Sequence, residues 1–138
     1  MGARIAPEAG PPPGSQLRLA AQPSSLSAAR QYSEEEAAAF GISAEGSFEV
    51  AFAVNEAVTN AIRHGAPDDR GCISLSVSLD ADCLTVAVHD HGTFRPPPES
   101  SMSSEHGRGL ALMAALMDDV RVQAQPGSTT IYLTKSRA

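Results

Sequence analysis

The stretch from Ser43 to Gly65 constrains the fold more than any other part of the chain. Val50, Val54, Ala57, Val58, Ala61 and Ile62 recur at helical spacing and form one apolar stripe. Asn55, Glu56, Thr59, Asn60 and Arg63 fall on the opposite side. Ser43 suits the N-cap and Glu45 the first turn, while Gly65 and Pro67 stop the helix near Arg63 or His64. Such a helix must lay its stripe on a second layer. Strand-like runs offer one. Cys72–Leu79 and Cys83–His89 are joined by the turn Asp80-Ala81-Asp82, and Asp119–Gln125 and Thr129–Lys135 by Pro126-Gly127-Ser128. Gln16–Ala21 reads as a short edge strand. Leu26–Phe40 reads as a helix ended by Gly41, and Leu110–Met117 as a nearly continuous apolar helix. The order β-α-α-β-β-α-β-β describes one sheet with helices on one face, an α+β sandwich.

A chain of 138 residues suits one domain. Residues 1–15 are rich in Pro and Gly and read as a flexible tail, leaving 16–138 as the folded unit. Trp is absent and aromatics make up 4%, so the core must rest on Val, Leu, Ile, Ala and Met. The net charge of -6 argues against direct binding of nucleic acid, which needs a basic face, but admits a partner with a basic surface. No apolar run is long enough to span a bilayer, and MGARIAPEAG lacks a signal-peptide core. A cytoplasmic protein off the membrane is therefore expected. Cys72 and Cys83 fit a reducing compartment. In a hairpin around Asp80–Asp82, Leu79 faces Cys83 and Cys72 lies far along the ladder, so no disulfide is expected.

Three short motifs carry chemistry. Glu56 and Asn60, four apart, share a helix face. The carboxylate could deprotonate a nucleophile, and the carboxamide oxygen could ligate Mg²⁺, a hard cation. Asp90-His91-Gly92 follows the strand LTVAVHD. A carboxylate there can accept a hydrogen bond from an exocyclic amine such as that of adenine, and Gly92 lets backbone approach a ligand. Gly107-Arg108-Gly109-Leu110 opens the apolar helix. Backbone N–H groups at a helix start attract phosphate, and Arg108 adds positive charge. Between the last two motifs, Thr93–His106 is long enough to be a lid. The glycines match neither a Rossmann fingerprint nor a Walker A loop. His64, His89, His91 and His106 lack the spacing of a zinc site, and no serine stands in a nucleophile elbow.

In this order the motifs resemble the N box and the two glycine boxes of the GHKL ATPase superfamily. EAVTNAIRHG (56–65), VHDHG (88–92), GRGLALMAALMDDVRV (107–122) and TTIYLTKS (129–136) are similar to anti-sigma factor serine kinases within it. The resemblance implies a Bergerat, histidine-kinase-like ATPase fold: a two-layer sandwich with a mixed, mostly antiparallel sheet. It implies transfer of the γ-phosphoryl group of Mg-ATP to a serine of a STAS-type anti-anti-sigma partner, and sequestration of a sigma factor in the alternative state. A homodimer is implied as well. By position, Glu56 is then the base, Asn60 the Mg²⁺ ligand and Asp90 the adenine contact. Gly92, Gly107, Arg108, Gly109 and Leu110 shape the nucleotide pocket. Phe94 departs from the pattern, standing where the first glycine box usually has a second glycine. Two other readings stay open. One is the catalytic domain of a sensor histidine kinase, although none of the about fifty residues before Glu56 is a His. The other is a nucleotide-regulated anti-sigma module without catalysis.

Overall fold

In a computed structural model of the chain, covering residues 15–64, 72–92 and 105–137, alternation along the strands decides the layering. The strands are β1 (Ser15–Ala20), β2 (Cys72–Leu79), β3 (Cys83–Asp90), β4 (Asp119–Gln125) and β5 (Ser128–Ser136). The helices are α1 (Leu26–Phe40), α2 (Ala44–His64) and α3 (Glu105–Leu116). Ile73, Leu75 and Val77 of β2, Leu84, Val86 and Val88 of β3, and Ile131 and Leu133 of β5 are all buried. A period of two sends these side chains to one face. The α2 stripe Val50, Val54, Ala57, Val58 and Ala61 lies buried in the same cluster, with Met113 and Met117. The helices therefore share one face of the sheet, as expected. The other face carries small polar groups, including the pair Thr85–Thr134, whose hydroxyls are 3.1 Å apart.

The sheet order is β1-β2-β3-β5-β4. Every ladder is antiparallel. Among the described residues the parallel component expected of a mixed sheet is absent, for a topological reason. The α1–α2 hairpin returns the chain beside the strand it left, so β2 opposes β1. The chain then crosses through α3, and β4 runs parallel to β3, but β5 is inserted between them.

Local chemistry sets the helix ends. Gly41 ends α1 at φ 106°, a conformation open to glycine, and its N–H donates to Ala38 O at 3.0 Å. Ser43 caps α2: its Oγ accepts the Gly46 N–H at 3.0 Å. Lys135 on β5 donates to Glu49 Oε1 at 2.7 Å and to the Leu116 carbonyl at 2.5 Å, tying α2 and α3 to the sheet.

Three details differ from the sequence reading. Leu79 pairs with Leu84 and not Cys83, because Asp80 closes a four-residue turn. Its N–H donates to Cys83 O, and its Oδ1 accepts the N–H groups of Asp82 and Cys83. Both cysteines are free, as expected. Ser15 belongs to β1 and not to the tail. Finally, α3 starts at Glu105, five residues before Leu110, so Gly107 and Gly109 lie within the helix. Packing against α2 offsets the roughly 1 kcal/mol that a helical glycine costs. The expected stop at Gly65 and most of the expected lid, with Phe94, lie outside the described residues.

Candidate active site

The polar side of α2 divides its labour. Asn55 Oδ1 accepts from Arg30 Nη1 of α1 at 2.8 Å. The Thr59 hydroxyl donates to the Asn55 carbonyl at 2.7 Å. Both residues are thus committed to holding helices. Glu56 and Asn60 are turned instead toward α3. A Cβ built on Gly109 would lie 3.4 Å from Glu56 Oε1 and 3.7 Å from Asn60 Oδ1. The carboxylate and the carboxamide oxygen therefore converge on one point, and the missing side chain of Gly109 keeps that point open. Two adjacent hard oxygen donors suit Mg²⁺ and its water shell.

Asp90 ends β3 on the buried face and is 8% exposed. Its Oδ1 accepts the Gly92 N–H at 2.6 Å. The Thr129 hydroxyl, buried on β5 and paired with Asp90 in the ladder, donates to the Gly92 carbonyl at 2.9 Å. The turn is thus held from both sides, and Oδ1 is committed to it. The second carboxylate oxygen is the acceptor left for a ligand amine. Burial pushes the Asp90 carboxyl above the ordinary carboxylate range; the Gly92 N–H and then His89 and His91 pull it back only in part.

The two histidines beside Asp90 contact each other. Their rings meet edge to face at 5.2 Å, and His89 Nδ1 lies 2.8 Å from the Thr130 hydroxyl. Burial, with His91 adding to it, holds His89 below its usual range, and Asp90 opposes that shift. Among the described residues no group of three or more His, Cys, Asp or Glu could hold a metal ion.

The structure thus brings Glu56, Asn60 and Gly109 together, and separately joins Asp90 to Gly92. Gly107 and Arg108 lie in the first turn of α3, and the Arg108 side chain is outside the described residues. Leu110 packs half-buried against the core. Thr129 was not singled out from the sequence. A signal was present, since alternation in TTIYLT puts Thr129 on the inward side with Ile131 and Leu133, a hydroxyl at a core position.

A carboxylate and a carboxamide on one helix face a glycine of the next, and a buried aspartate ends a strand, all on this two-layer sandwich. The chain belongs to the histidine kinase-like ATPase domain family, whose profile matches residues 19–135. It is 31% identical over 134 residues to the serine-protein kinase RsbW of Bacillus subtilis, across 87% of this chain and 83% of that protein. An anti-sigma F factor of Clostridium acetobutylicum is 31% identical over 103 residues, 64% of this chain and 68% of that one. Among solved structures, the RsbU and RsbW domains of Rv1364c from Mycobacterium tuberculosis superpose with a TM-score of 0.69 at 26% identity, over 91% of this chain and 34% of that longer one. A histidine kinase domain from Erythrobacter litoralis shares the fold at a TM-score of 0.55 and 19% identity, over 83% of this chain and 60% of that one.

Proposed function

We propose that this chain is a protein-serine kinase of the anti-sigma class, which phosphorylates a serine of a STAS-domain anti-anti-sigma protein and otherwise holds a sigma factor. The observation that carries the reading is the convergence of Glu56 and Asn60 on the space left by Gly109. The likeness to serine-protein kinase RsbW and to anti-sigma F factors supports it.

Each residue has a role in this chemistry. Glu56 takes the proton of the acceptor serine hydroxyl as its oxygen bonds to the γ-phosphorus. The bond to the bridging oxygen breaks, and its electron pair leaves with ADP. Asn60 holds a magnesium ion, which when bound neutralises phosphate charge. Asp90 accepts from the adenine amino group through the oxygen that Gly92 does not use. Guanine presents a carbonyl oxygen there, so adenine is selected. Gly107 and Arg108, in the first turn of α3, face phosphate. The reading includes a homodimer, by likeness to the family, and a cytoplasmic setting, where ATP and sigma factors are at hand. Among the described residues no helix is long and apolar enough to cross a membrane.

The test follows labelled phosphate from ATP onto a purified STAS-domain protein. Mg²⁺-dependent labelling of one serine is the expected result. Absence of transfer to any STAS protein, with sigma-factor binding retained, would replace the kinase by a binding module.

A further inference from the structure

Five large apolar side chains stand exposed among the described residues, and three of them sit on the helical layer: Phe48 at 58%, Phe52 at 38% and Leu112 at 39%. The two phenylalanine rings meet edge to face with centroids 6.2 Å apart. They are four residues apart on α2, and Glu56 is four residues further on. Phe52 thus lies one turn, about 6 Å, from Glu56, and Phe48 two turns, about 12 Å. All three stand on the side of α2 away from its buried stripe.

The flanks of this ledge follow from the helix contacts. Gly109 faces Glu56 and Asn60, while Lys135 links Glu49 to the Leu116 carbonyl, so α3 runs antiparallel beside α2. Leu112 falls between those points, level with the turn that carries Phe52. On the other side, Arg30 of α1 bonds Asn55, and one turn onward come Glu34 and Glu35, both exposed. Glu45, also exposed, is one turn before Phe48. Across α1 and α2 there are six carboxylates against two arginines. The result is an apolar ledge with an acidic rim, continuous with the catalytic carboxylate.

We infer that this ledge is the docking surface for the phosphoacceptor protein, which presents an apolar protrusion ringed by Lys or Arg. The inference rests on the kinase reading. An acceptor whose serine reaches Glu56 must lay its body over the helix face around that residue. The ledge is the part of that face with apolar area to bury, and central aromatic anchors carry most of an interface's energy. The acidic rim selects a basic partner and speeds its encounter.

The experiment measures transfer from Mg-ATP to the STAS-domain protein that the parent phosphorylates, against acceptor concentration. In Phe48→Gln/Phe52→Gln the KM for the acceptor should rise about tenfold or more, with kcat at saturation and ADP affinity unchanged. Phe48→Leu/Phe52→Leu should restore most of the loss. Glu34→Gln/Glu35→Gln should flatten the dependence of KM on salt. Should the glutamine pair not fold, single Phe48→Gln at the more exposed ring carries the same test. An unchanged KM in a folded variant overturns the docking surface and leaves the kinase reading standing. Weakened sigma-factor binding with an unchanged acceptor KM also overturns it, giving the ledge to the sigma factor. No transfer by the parent overturns both readings together.

Discussion

Replacing Gly109 by alanine separates the two effects of a glycine at this position. Gly109 is helical, and among the described residues only Gly41 and Gly127 have a positive φ, so alanine meets no backbone strain there. The added methyl would sit 3.4 Å from Glu56 Oε1, 3.7 Å from Asn60 Oδ1 and 3.8 Å from Asn60 Nδ2, which is ordinary van der Waals contact. Fold stability should therefore gain the helix-propensity difference, about 1 kcal/mol. For a domain of this size that raises Tm by about 3–5 °C. Function should move the other way. The methyl fills the space where the carboxylate and the carboxamide converge, and a polar group cut off from its partner costs about 1–3 kcal/mol. That corresponds to roughly 5- to 150-fold weaker Mg-nucleotide binding. Thermal unfolding without ligand and calorimetric titration with Mg-ATP, on the same preparation, read both quantities. A lower Tm would show that the helices cannot accommodate the methyl. Unchanged affinity would show that the nucleotide does not use this space.

Asp90→Asn should weaken ADP binding and erase the preference for ADP over GDP, because the amide oxygen keeps the Gly92 N–H and its NH₂ then confronts the adenine amine; competitive titration checks this. The same variant carries a pH signature. Burial raises the folded-state pKa of Asp90, so its ionisation opposes folding above that pKa, and the cost vanishes as pH falls toward the unfolded value. The variant should thus gain Tm over the parent at neutral pH, with the gain fading in acid; a difference independent of pH refutes the assignment. Asn60→Ala should abolish the Mg²⁺-dependent part of nucleotide affinity while the melt holds steady or rises, since alanine is the better helix former. Glu56→Gln should keep ATP and partner binding but lose about 10²–10⁴-fold in transfer rate, measured with labelled ATP at matched enzyme concentration.

The fold was legible where periodicity was strong and local. The α2 stripe, the Ser43 cap, the Gly41 stop and the alternation in β2 and β3 all depend on neighbours within a few residues. The insertion of β5 between β3 and β4 depends on pairing between residues as far apart in sequence as Cys83 and Ser136, which no local pattern reports. The turn at Asp80 was read one residue short because the Asp80 side chain, by accepting two N–H groups, makes a four-residue turn as good as a three-residue one. The start of α3 was missed because glycine weakens a helix on its own, while close packing against α2 is a tertiary gain. At the candidate site, Glu56, Asn60 and Asp90 stand out by residue type and spacing. Thr129 does not, because its role depends on lying opposite Asp90 in the ladder.

The place of β5 also bears on how the protein is made. This strand is synthesised after every other described element, yet it lies inside the sheet and supplies the Thr129 hydroxyl that holds the turn at Asp90. Until β5 pairs, β3 has an open edge and the turn at Asp90 lacks its second support. The candidate site is therefore complete only once β5 has entered the sheet. A ligand that binds only the finished fold adds its binding energy at that moment and not before. A nucleotide that binds there would draw off chains that have placed β5 correctly from those that have not.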